Sequence, residues 1–264
     1  MRKMDYHVHS LHSYDGIQSI EEMCKTMISL GVQEVCLTEH FDLDHPDDDC
    51  QGIPDWETWS REIQYVNQKY PNLMIKRGIE VGDNPKCRDQ IKAYVSSLSF
   101  DFVLLSLHLV DNQDPYHKEV FFKNKTREGC YVRYLESVMD EVLHYDDYDS
   151  LAHLGYIGRY APWNEKAVQH EDAPEIVDCI LKHLIEHDKC LEINTKGIDH
   201  HFIPVESIIR RYIELGGNQF TFGSDAHIQE HDYRCVDEAK DFVKRLGGKY
   251  QAGFTNRKKE LYLL

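Results

Sequence analysis

The feature that most constrains the fold is a regular alternation of short apolar runs with segments of helical periodicity. Ser19 and Glu22 predict a capping box at the start of the first helix, which Gly31 ends. The apolar runs predict seven strands, at 4–8, 34–38, 74–80, 102–107, 150–153, 190–194 and 219–223. Strands that alternate with helices become parallel and are joined by right-handed crossovers. We therefore predict an α/β fold, a distorted (β/α)7 TIM-like barrel that forms a single domain over residues 1–264.

The later helices and the length agree with this fold. The apolar periodicity predicts helices at roughly 57–69, 86–97, 131–142, 177–185, 208–213 and 237–246. The 264 residues are close to the ~250 residues of a typical barrel of this class. Seven strands fit an incomplete or distorted barrel better than a regular eightfold one.

The composition narrows the class of function. Lys and Arg number 30 against 46 Asp and Glu, and the net charge of −16 argues against a nucleic-acid or anionic-membrane binder. The longest apolar stretch, at 102–110, contains Ser106 and His108, so we expect no membrane span. The first strand begins too early to leave room for a signal peptide. Eight cysteines without a C-x-x-C pair favour reduced thiols and a cytoplasmic location.

Histidine and carboxylate residues fall at or just beyond the carboxyl ends of the predicted strands. His7 and His9 are two residues apart, so the period of a strand places both on one face, together with Asp5. The same edge of the barrel is predicted for Asp15, His40, Glu80, His108, His153, Asp225 and His227. Nitrogen and oxygen donors of this kind suit Zn, Fe or Mn. The pattern therefore predicts a metal site at this edge.

A single histidine at a strand end is more often a hydrogen-bonded core or surface group than a ligand. Here a His-x-His pair, Glu80, His108, His153 and an Asp-x-His pair each stand at a different strand end, and this coincidence favours metal binding. Ten of the sixteen histidines lie outside the set. They are expected to be solvated in helices or loops, and include His170, His183, His187, His200 and His201.

Six short motifs follow one another along almost the whole chain. They are D-Y-H-V-H-S at 5–10, T-E-H at 38–40, G-I-E-V-G at 78–82, S-L-H at 106–108, A-H-L-G at 152–155 and G-S-D-A-H at 223–227. Together they resemble the polymerase-and-histidinol-phosphatase (PHP) family. E-I-N-T at 192–195 and R-Y-x-P at 159–162 resemble its histidinol-phosphate phosphatase branch. The resemblance implies a distorted (β/α)7 barrel that holds up to three metals. It also implies an enzyme that hydrolyses L-histidinol phosphate to L-histidinol and phosphate in histidine biosynthesis.

The resemblance also implies ligands for two to three divalent transition metals, Zn, Fe or Mn. The first metal is assigned to His7, His9, Glu80 and Asp225. The second is assigned to Glu80, as a bridge, with His108 and His153. The third is assigned to Asp15, His40 and His227, and the implied catalytic residues are Glu80, Asp225 and His153. A bridging carboxylate can hold two cations about 3.5–4 Å apart; these cations lower the pKa of a shared water, and the resulting hydroxide attacks phosphorus.

Two cationic residues follow the fifth and sixth strands at the same edge. Arg159 can grip a phosphate through its planar guanidinium, and Lys196 offers a point charge. The alternative for both is a surface cation paired with nearby acids. We expect a small phosphorylated substrate as the partner, with no nucleic acid and no membrane; the oligomeric state stays open.

The loops at 41–56 and 109–125 are the expected source of substrate selectivity. Histidinol phosphate has a cationic end, which carboxylates can pair with and aromatic rings can contact through cation–π interactions. The candidate side chains are Asp42, Asp114, Phe41, Trp56 and Tyr116. We interpret the acidic run at 44–49 as a solvated face. The alternative to a selective site is that both loops are ordinary solvated loops and that substrate selectivity is low.

Three other functions stay open. A related phosphatase for another small monoester or for phosphotyrosine would share the metal site. The net charge of −16 disfavours an exonuclease domain of the polymerase type. A non-catalytic metal-binding relative is disfavoured because none of the nine predicted ligands is missing. Nothing in the sequence resembles a catalytic Ser or Cys motif, so we do not expect a covalent phospho-enzyme intermediate.

Overall fold

The structure is a computed structural model that describes residues 1–51, 53–198 and 201–264. Its strands are β1 (Met4–Val8), β2 (Glu34–Phe41), β3 (Met74–Gly82), β4 (Phe102–Ser106), β5 (Ser150–Leu151), β6 (Cys190–Ile198), β7 (His201–Ile203), β8 (Gln219–Gly223), β9 (Tyr250–Thr255) and β10 (Lys258–Leu263). Its helices are α1 (Ile20–Ser29), α2 (Trp56–Lys69), α3 (Arg88–Ser96), α4 (Lys118–Phe121), α5 (Arg127–His144), α6 (Pro174–Glu186), α7 (Glu206–Glu214) and α8 (Val236–Leu246).

The central sheet is built from parallel strands. These strands lie side by side in the order β1, β2, β3, β4, β5, β6 and β8. The two ends of this run meet, because His9 N donates to Ala226 O at 2.8 Å and Asp225 N donates to His7 O at 2.7 Å. The predicted distorted α/β barrel is confirmed. Part of its distortion lies in β5, which has only 2 residues.

Helix α1 illustrates how the helices cover the outside of the sheet. Ser19 Oγ accepts from Glu22 N, and the Glu22 carboxylate accepts from Ser19 N, which completes the predicted capping box. The buried side chains of α1 recur at helical spacing and are Ile20, Met23, Cys24 and Met27. Burying an apolar side chain of this size contributes about 1.5–3 kcal/mol. This outer core holds the strands that carry the site.

Strand β1 contains a bulge that changes which side chains share a face. Asp5 pairs with Val35 but Val8 pairs with Leu37, so β1 has one residue more than β2 over this stretch. Asp5 therefore lies on the face of Val8, and its carboxylate accepts from Ser224 N at 3.0 Å. The predicted position of Asp5 beside the two histidines of β1 is wrong, because a strict period of two holds only for an unbulged strand.

An apolar cluster fills the barrel interior away from the carboxyl ends of the strands. Its buried members are Met4, Tyr6, Cys36, Phe102, Leu104, Ala152, Cys190, Ala252 and Phe254. Since they come from strands all around the sheet, the cluster lies inside the barrel. Tyr6 and Phe102 meet edge to face, with ring centroids 5.1 Å apart. This layer supports the polar residues that lie further along the same strands.

Some strands were not predicted from the sequence. β7 pairs antiparallel with β6, and β9 and β10 form an antiparallel hairpin. The hairpin turns at Asn256 and Arg257, which have φ values of 48° and 64°. Two left-handed residues are what a type I′ turn requires, but Arg rarely adopts that conformation. The turn signal in the sequence is therefore weak. β2, β3 and β6 also continue past their predicted ends.

None of the helices in the described part of the chain has the length and apolar character needed to cross a membrane. All eight cysteines are free thiols in the structure, and their reduced state in the cell stays a prediction. The cytoplasmic location stays a prediction.

Candidate metal centre

The residues predicted to bind metal lie together at the carboxyl end of the barrel. His40 on β2 pairs in register with Glu80 on β3, which sets the two side by side. A cavity opens at this end. Its lining residues are Tyr14, Asp15, His40, Glu80, His108, Asp114, His153, Tyr156, Arg159, Tyr160, Lys196, Asp225 and His227. Convergence at this edge follows from parallel strands whose carboxyl ends all meet there.

Glu80 is fully buried at the centre of this cluster. Its Oε2 faces three histidines, at 3.1 Å from His7 Nε2, 3.3 Å from His9 Nε2 and 3.1 Å from His40 Nδ1. Its Oε1 faces two others, at 2.9 Å from His153 Nε2 and 3.3 Å from His108 Nε2. The two oxygens of one carboxylate thus serve separate groups of imidazoles. That is the arrangement a bridging ligand requires.

Asp225 borders the first of these groups. Its Oδ1 lies 3.9 Å from His7 Nε2 and 3.8 Å from His9 Nε2. The residue has a φ of 53°, a left-handed conformation that costs energy for a residue other than glycine. Its N–H donates to His7 O, which fixes the turn after β8 against β1. The strained turn aims the carboxylate at the histidines.

A third group lies next to the first. Asp15 Oδ2 is 3.0 Å from His227 Nε2, and Asp15 Oδ1 is 3.6 Å from His40 Nε2. The His9 ring stacks against the rings of His40 and His227, each 4.2 Å away between centroids. The side chain of Asp15 is 44% exposed, which makes it the most accessible of the nine predicted ligands. This group is the one that opens to solvent.

Burial and neighbouring charges set the ionisation of the cluster. Burial lowers the pKa of His9, and the adjacent His227 and His40 lower the pKa further. Burial alone would raise the pKa of Glu80, but His7 and His40 outweigh it and hold that pKa well below its usual range. Both shifts favour the forms that bind a metal, a neutral imidazole and a carboxylate. At His7, His40 and His108 the nearby carboxylates outweigh burial and raise the pKa of the imidazole.

The residues fit the metals that the resemblance implies. His9 Nε2 and His40 Nδ1 are buried, and among the described residues neither has a hydrogen-bond partner in good geometry, although Glu80 Oε2 lies 3.3 and 3.1 Å away. Four trios of donor atoms drawn from the predicted ligands have all members within 4.8 Å of one another: His9, His40 and His227; His7, His9 and Glu80; His7, His153 and Asp225; and His40, Glu80 and His108. Unpartnered imidazole nitrogens that converge on carboxylates are suited to a cation. A donor set of nitrogen and oxygen without sulfur matches Zn, Fe or Mn.

Both predicted phosphate-binding cations line the same cavity. Arg159 ends a 3₁₀ turn, and its Nη2 lies 2.8 Å from Asp225 Oδ2 and donates to Asn194 Oδ1 at 2.8 Å. Arg159 Nε donates to Lys196 O at 3.0 Å. Lys196 Nζ lies 3.3 Å from Asp225 Oδ1. Contacts through Nη2 and Nε fix the guanidinium, and among the described residues none accepts from its Nη1.

Groups behind the histidines were not recognised in the sequence. Asp42 Oδ1 lies 2.7 Å from His108 Nδ1, and Glu192 Oε1 lies 2.6 Å from His7 Nδ1. Ser13 Oγ lies 3.0 Å from His9 Nδ1. Partners of this kind fix which imidazole nitrogen faces a metal. The one sequence motif that includes such a partner is E-I-N-T at 192–195. It supported the family resemblance, but it did not predict a role for Glu192.

Three side chains predicted to meet a cationic substrate end do not reach the cavity. Asp42 is buried behind His108. Phe41 is 1% exposed and Trp56 is 9% exposed, and both rings belong to the outer core. These predictions are wrong because β2 continues to Phe41 and α2 begins at Trp56, so the two residues belong to elements that pack and not to a loop.

The remaining histidines mostly agree with the expectation of solvent contact. His170 and His183 are half-buried, His187 is exposed, and His201 is exposed in a strand. His200 lies outside the described residues. His45 is the exception: it is 2% exposed, its Nδ1 accepts from Asp47 N at 3.1 Å, and its Nε2 lies 3.8 Å from Asp114 Oδ2. The loop after β2 is thus packed at this point.

Comparison with known proteins identifies the family. A family model described as the PHP domain matches residues 5–196, most of the chain. The chain belongs to the PHP family. The resemblance carried by the sequence motifs is thereby confirmed, and the PHP match includes every predicted ligand except Asp225 and His227.

Full-length relatives extend the PHP match to nearly the whole chain. A histidinol-phosphatase from Lactococcus lactis subsp. lactis (strain IL1403) is 30% identical over 98% of this chain and 96% of the relative. A probable histidinol-phosphatase from Thermotoga maritima is 29% identical over 94% of each chain. A crystal structure of histidinol phosphate phosphatase from L. lactis, complexed with Zn, L-histidinol and phosphate, has a TM-score of 0.91 at 30% identity and covers 98% of this chain and 99% of that one.

A more distant structural match shares the fold of this chain. Metal-dependent tyrosine phosphatases from Bacillus subtilis and Streptococcus pneumoniae match with a TM-score of 0.51 at 16% identity, over 92% of this chain and 86% of the other. At that identity the likeness concerns the PHP fold alone.

Proposed function

We propose that the chain is a metal-dependent phosphomonoesterase that hydrolyses L-histidinol phosphate to L-histidinol and phosphate, a reaction of histidine biosynthesis. The observation that carries the proposal is Glu80. Its two oxygens face separate groups of histidines at a cavity that also holds Arg159. The L. lactis enzyme, solved with Zn, L-histidinol and phosphate, supports this choice of substrate.

Two to three divalent metals, Zn, Fe or Mn, are the proposed cofactors. When bound, such metals act as Lewis acids that neutralise phosphoryl oxygens and lower the pKa of water. The proposed ligands of the first metal are His7, His9, Glu80 and Asp225; those of the second are Glu80, His108 and His153; those of the third are Asp15, His40 and His227. Among them, Glu80, Asp225 and His153 are the proposed catalytic residues.

The phosphate end of the substrate is assigned to the side of the cavity that carries Arg159 and Lys196. Arg159 is held by Asn194 and Asp225, so little conformational entropy is lost when its remaining N–H groups bind an anion. Lys196 is 41% exposed at its side chain and adds a second positive charge. Two cations beside the metal ligands favour a dianionic group over a neutral one.

The cationic end of the substrate is assigned to Asp114 and the aromatic residues beside it. Asp114 lines the cavity, and its side chain is 11% exposed. Among the described residues no lysine or arginine lies within ion-pair distance of its carboxylate, which accepts from Tyr116 N at 2.8 Å and has His45 Nε2 at 3.8 Å. Tyr116 is 63% exposed and packs edge to face on Tyr160, which also lines the cavity. A carboxylate without a lysine or arginine partner among the described residues, next to aromatic rings, suits an ammonium or imidazolium group.

The test is phosphate release from L-histidinol phosphate and from a panel of monoesters that includes phosphotyrosine, with metal analysis of the same preparation. The highest kcat/KM on L-histidinol phosphate supports the proposal. A higher kcat/KM on another ester would overturn L-histidinol phosphate as the substrate but would still support phosphomonoester hydrolysis as the reaction. No phosphate release from any ester by a metal-loaded preparation would overturn the enzyme itself.

Metal removal is expected to abolish activity. Elemental analysis should find two to three atoms of Zn, Fe or Mn per chain, and prolonged chelation should reduce phosphate release to background, because the histidines cannot polarise water without cations. Adding back Zn or Mn should restore the rate, which controls for irreversible unfolding. Full activity in a protein free of metal would refute this expectation.

Replacing Arg159 by alanine is expected to lower kcat/KM by roughly 10- to 150-fold, since a charge-assisted hydrogen bond contributes about 1.5–3 kcal/mol. Arg159→Lys should recover only part of the loss, because an ammonium cannot make the same paired contacts. The control is Arg133→Ala, which removes a surface arginine paired with Asp111. An unchanged kcat/KM for Arg159→Ala would remove this residue from the phosphate site.

A further inference from the structure

Glu192 supports histidines from two of the proposed metal sites. It lies on β6 and is 1% exposed. Its Oε1 lies 2.6 Å from His7 Nδ1, and its Oε2 accepts from the backbone N–H of His153 at 2.7 Å. His7 faces Oε2 of Glu80 and His153 faces Oε1, so these two histidines belong to different sides of the cluster. One buried carboxylate therefore sets the positions of both.

Asn194 continues the same network toward the phosphate side. It is fully buried, two residues after Glu192 on β6. Its Nδ2 donates to Glu192 Oε2 at 3.2 Å and to Asp225 Oδ2 at 3.3 Å. Its Oδ1 accepts from Arg159 Nη2 at 2.8 Å and from Lys196 N at 3.0 Å. The side-chain amide thus uses both its oxygen and its nitrogen, and it connects the metal side of the cavity to Arg159.

The neighbouring strand leaves this network no room to rearrange. Asn194 pairs in register with Gly223 on β8. A Cβ atom at Gly223 would lie 2.2 Å from His7 Cβ and 2.6 Å from Glu192 Oε1, closer than atoms can approach. The backbone of β8 therefore packs directly on the two side chains. Close packing of this kind fixes their rotamers.

We propose that Glu192 and Asn194 are positioning residues, which hold the metal ligands and the phosphate-binding arginine in one arrangement. The inference rests on the proposed function. Glu192 accepts the Nδ1 proton of His7 and so presents the unprotonated Nε2 to the cluster, while its other oxygen fixes the strand end that carries His153. Asn194 sets the plane of the Arg159 guanidinium. This pair gives a physical role to the first and third residues of E-I-N-T.

The first test is Glu192→Gln, which keeps the size of the side chain. An amide has one accepting oxygen, whereas His7 and His153 each need an acceptor, on opposite oxygens of Glu192. One N–H must therefore face the amide NH₂ group and lose its partner. We expect zinc affinity to fall by roughly 10- to 100-fold. The measurement is the chelator concentration that removes half of the zinc from the folded protein, and excess zinc should restore much of the lost kcat.

The second test is Asn194→Ala, which removes the acceptor from Arg159 without removing any proposed ligand. We expect inorganic phosphate to bind about 10-fold more weakly, measured as a competitive inhibitor or by calorimetry, because the guanidinium loses one of the three contacts that fix it. KM should rise more than kcat falls. Zinc affinity should change less than in Glu192→Gln. This variant also keeps the proposal testable if Glu192→Gln does not fold.

The matched control is Glu34→Gln. Glu34 is another buried carboxylate, held by Arg2 and Tyr6 at the amino end of β2. Its loss is expected to lower thermal stability but to leave zinc and phosphate affinity unchanged. Equal zinc affinity in Glu192→Gln and Glu34→Gln, or unchanged phosphate binding in Asn194→Ala, would overturn the proposal. The chelator titration of zinc and the calorimetric binding of phosphate do not use L-histidinol phosphate, so a failure of the proposed substrate would be recognised separately.

Discussion

Replacing Glu80 by glutamine is expected to lower kcat by about 10³-fold or more, which corresponds to a loss of about 4 kcal/mol of transition-state stabilisation. The amide retains the shape of the side chain but not its charge, and only one of its two terminal atoms can accept. His7 and His153 would no longer share a carboxylate that faces both. The measurement is kcat at saturating substrate together with the metal content per chain.

The same Glu34→Gln variant controls for the loss of a buried carboxylate as such. A large decrease in kcat for Glu80→Gln, with a rate close to normal for Glu34→Gln, would support a bridging role for Glu80. A Glu80→Gln protein with full metal content and a kcat within tenfold of the control would contradict it. Loss of one metal with retention of the others would indicate which group of histidines depends on Glu80 most.

The gathering of the candidate site could be predicted because it depends on little beyond strand order. In a parallel barrel, every residue just past a carboxyl end lies at one edge, whatever its distance along the chain. His108 and His153 follow β4 and β5 and are thereby brought to the two sides of one Glu80 oxygen. The alternation of apolar runs and helices was enough to place them.

Other features depend on details that a period of two cannot supply. The bulge in β1 places Asp5 away from the histidines, and nothing in the local sequence marks it. The roles of Asp42 and Glu192 depend on which imidazole nitrogen each carboxylate approaches, which only the packed interior decides. The hairpin of β9 and β10 turns at Arg257, a residue type that gives no turn signal.

We expect kcat/KM for L-histidinol phosphate to be at least ~100-fold higher than kcat/KM for p-nitrophenyl phosphate. This ratio corresponds to about 2.7 kcal/mol of transition-state binding. The cavity carries Arg159 and Lys196 on one side and Asp114 on another. Burial raises the pKa of Asp114, and an ammonium group beside it would lower that pKa again by stabilising the carboxylate. p-Nitrophenyl phosphate has no cationic group to offer. Its binding should depend on the phosphate side alone.

The residue that this selectivity depends on most should be Asp114. Asp114→Asn is expected to lower kcat/KM for L-histidinol phosphate by roughly 10- to 150-fold, the value of a charge-assisted contact, and to leave the rate on p-nitrophenyl phosphate nearly unchanged. Asp111→Asn is the matched control, because Asp111 lies in the same loop but is 59% exposed and paired with Arg133. If the unaltered protein hydrolysed both esters equally well, the loops after β2 and β4 would be unselective, and the natural substrate would be another phosphomonoester. If instead Asp114→Asn lowered both rates in parallel, Asp114 would support the metal side of the cavity and not the cationic end of the substrate.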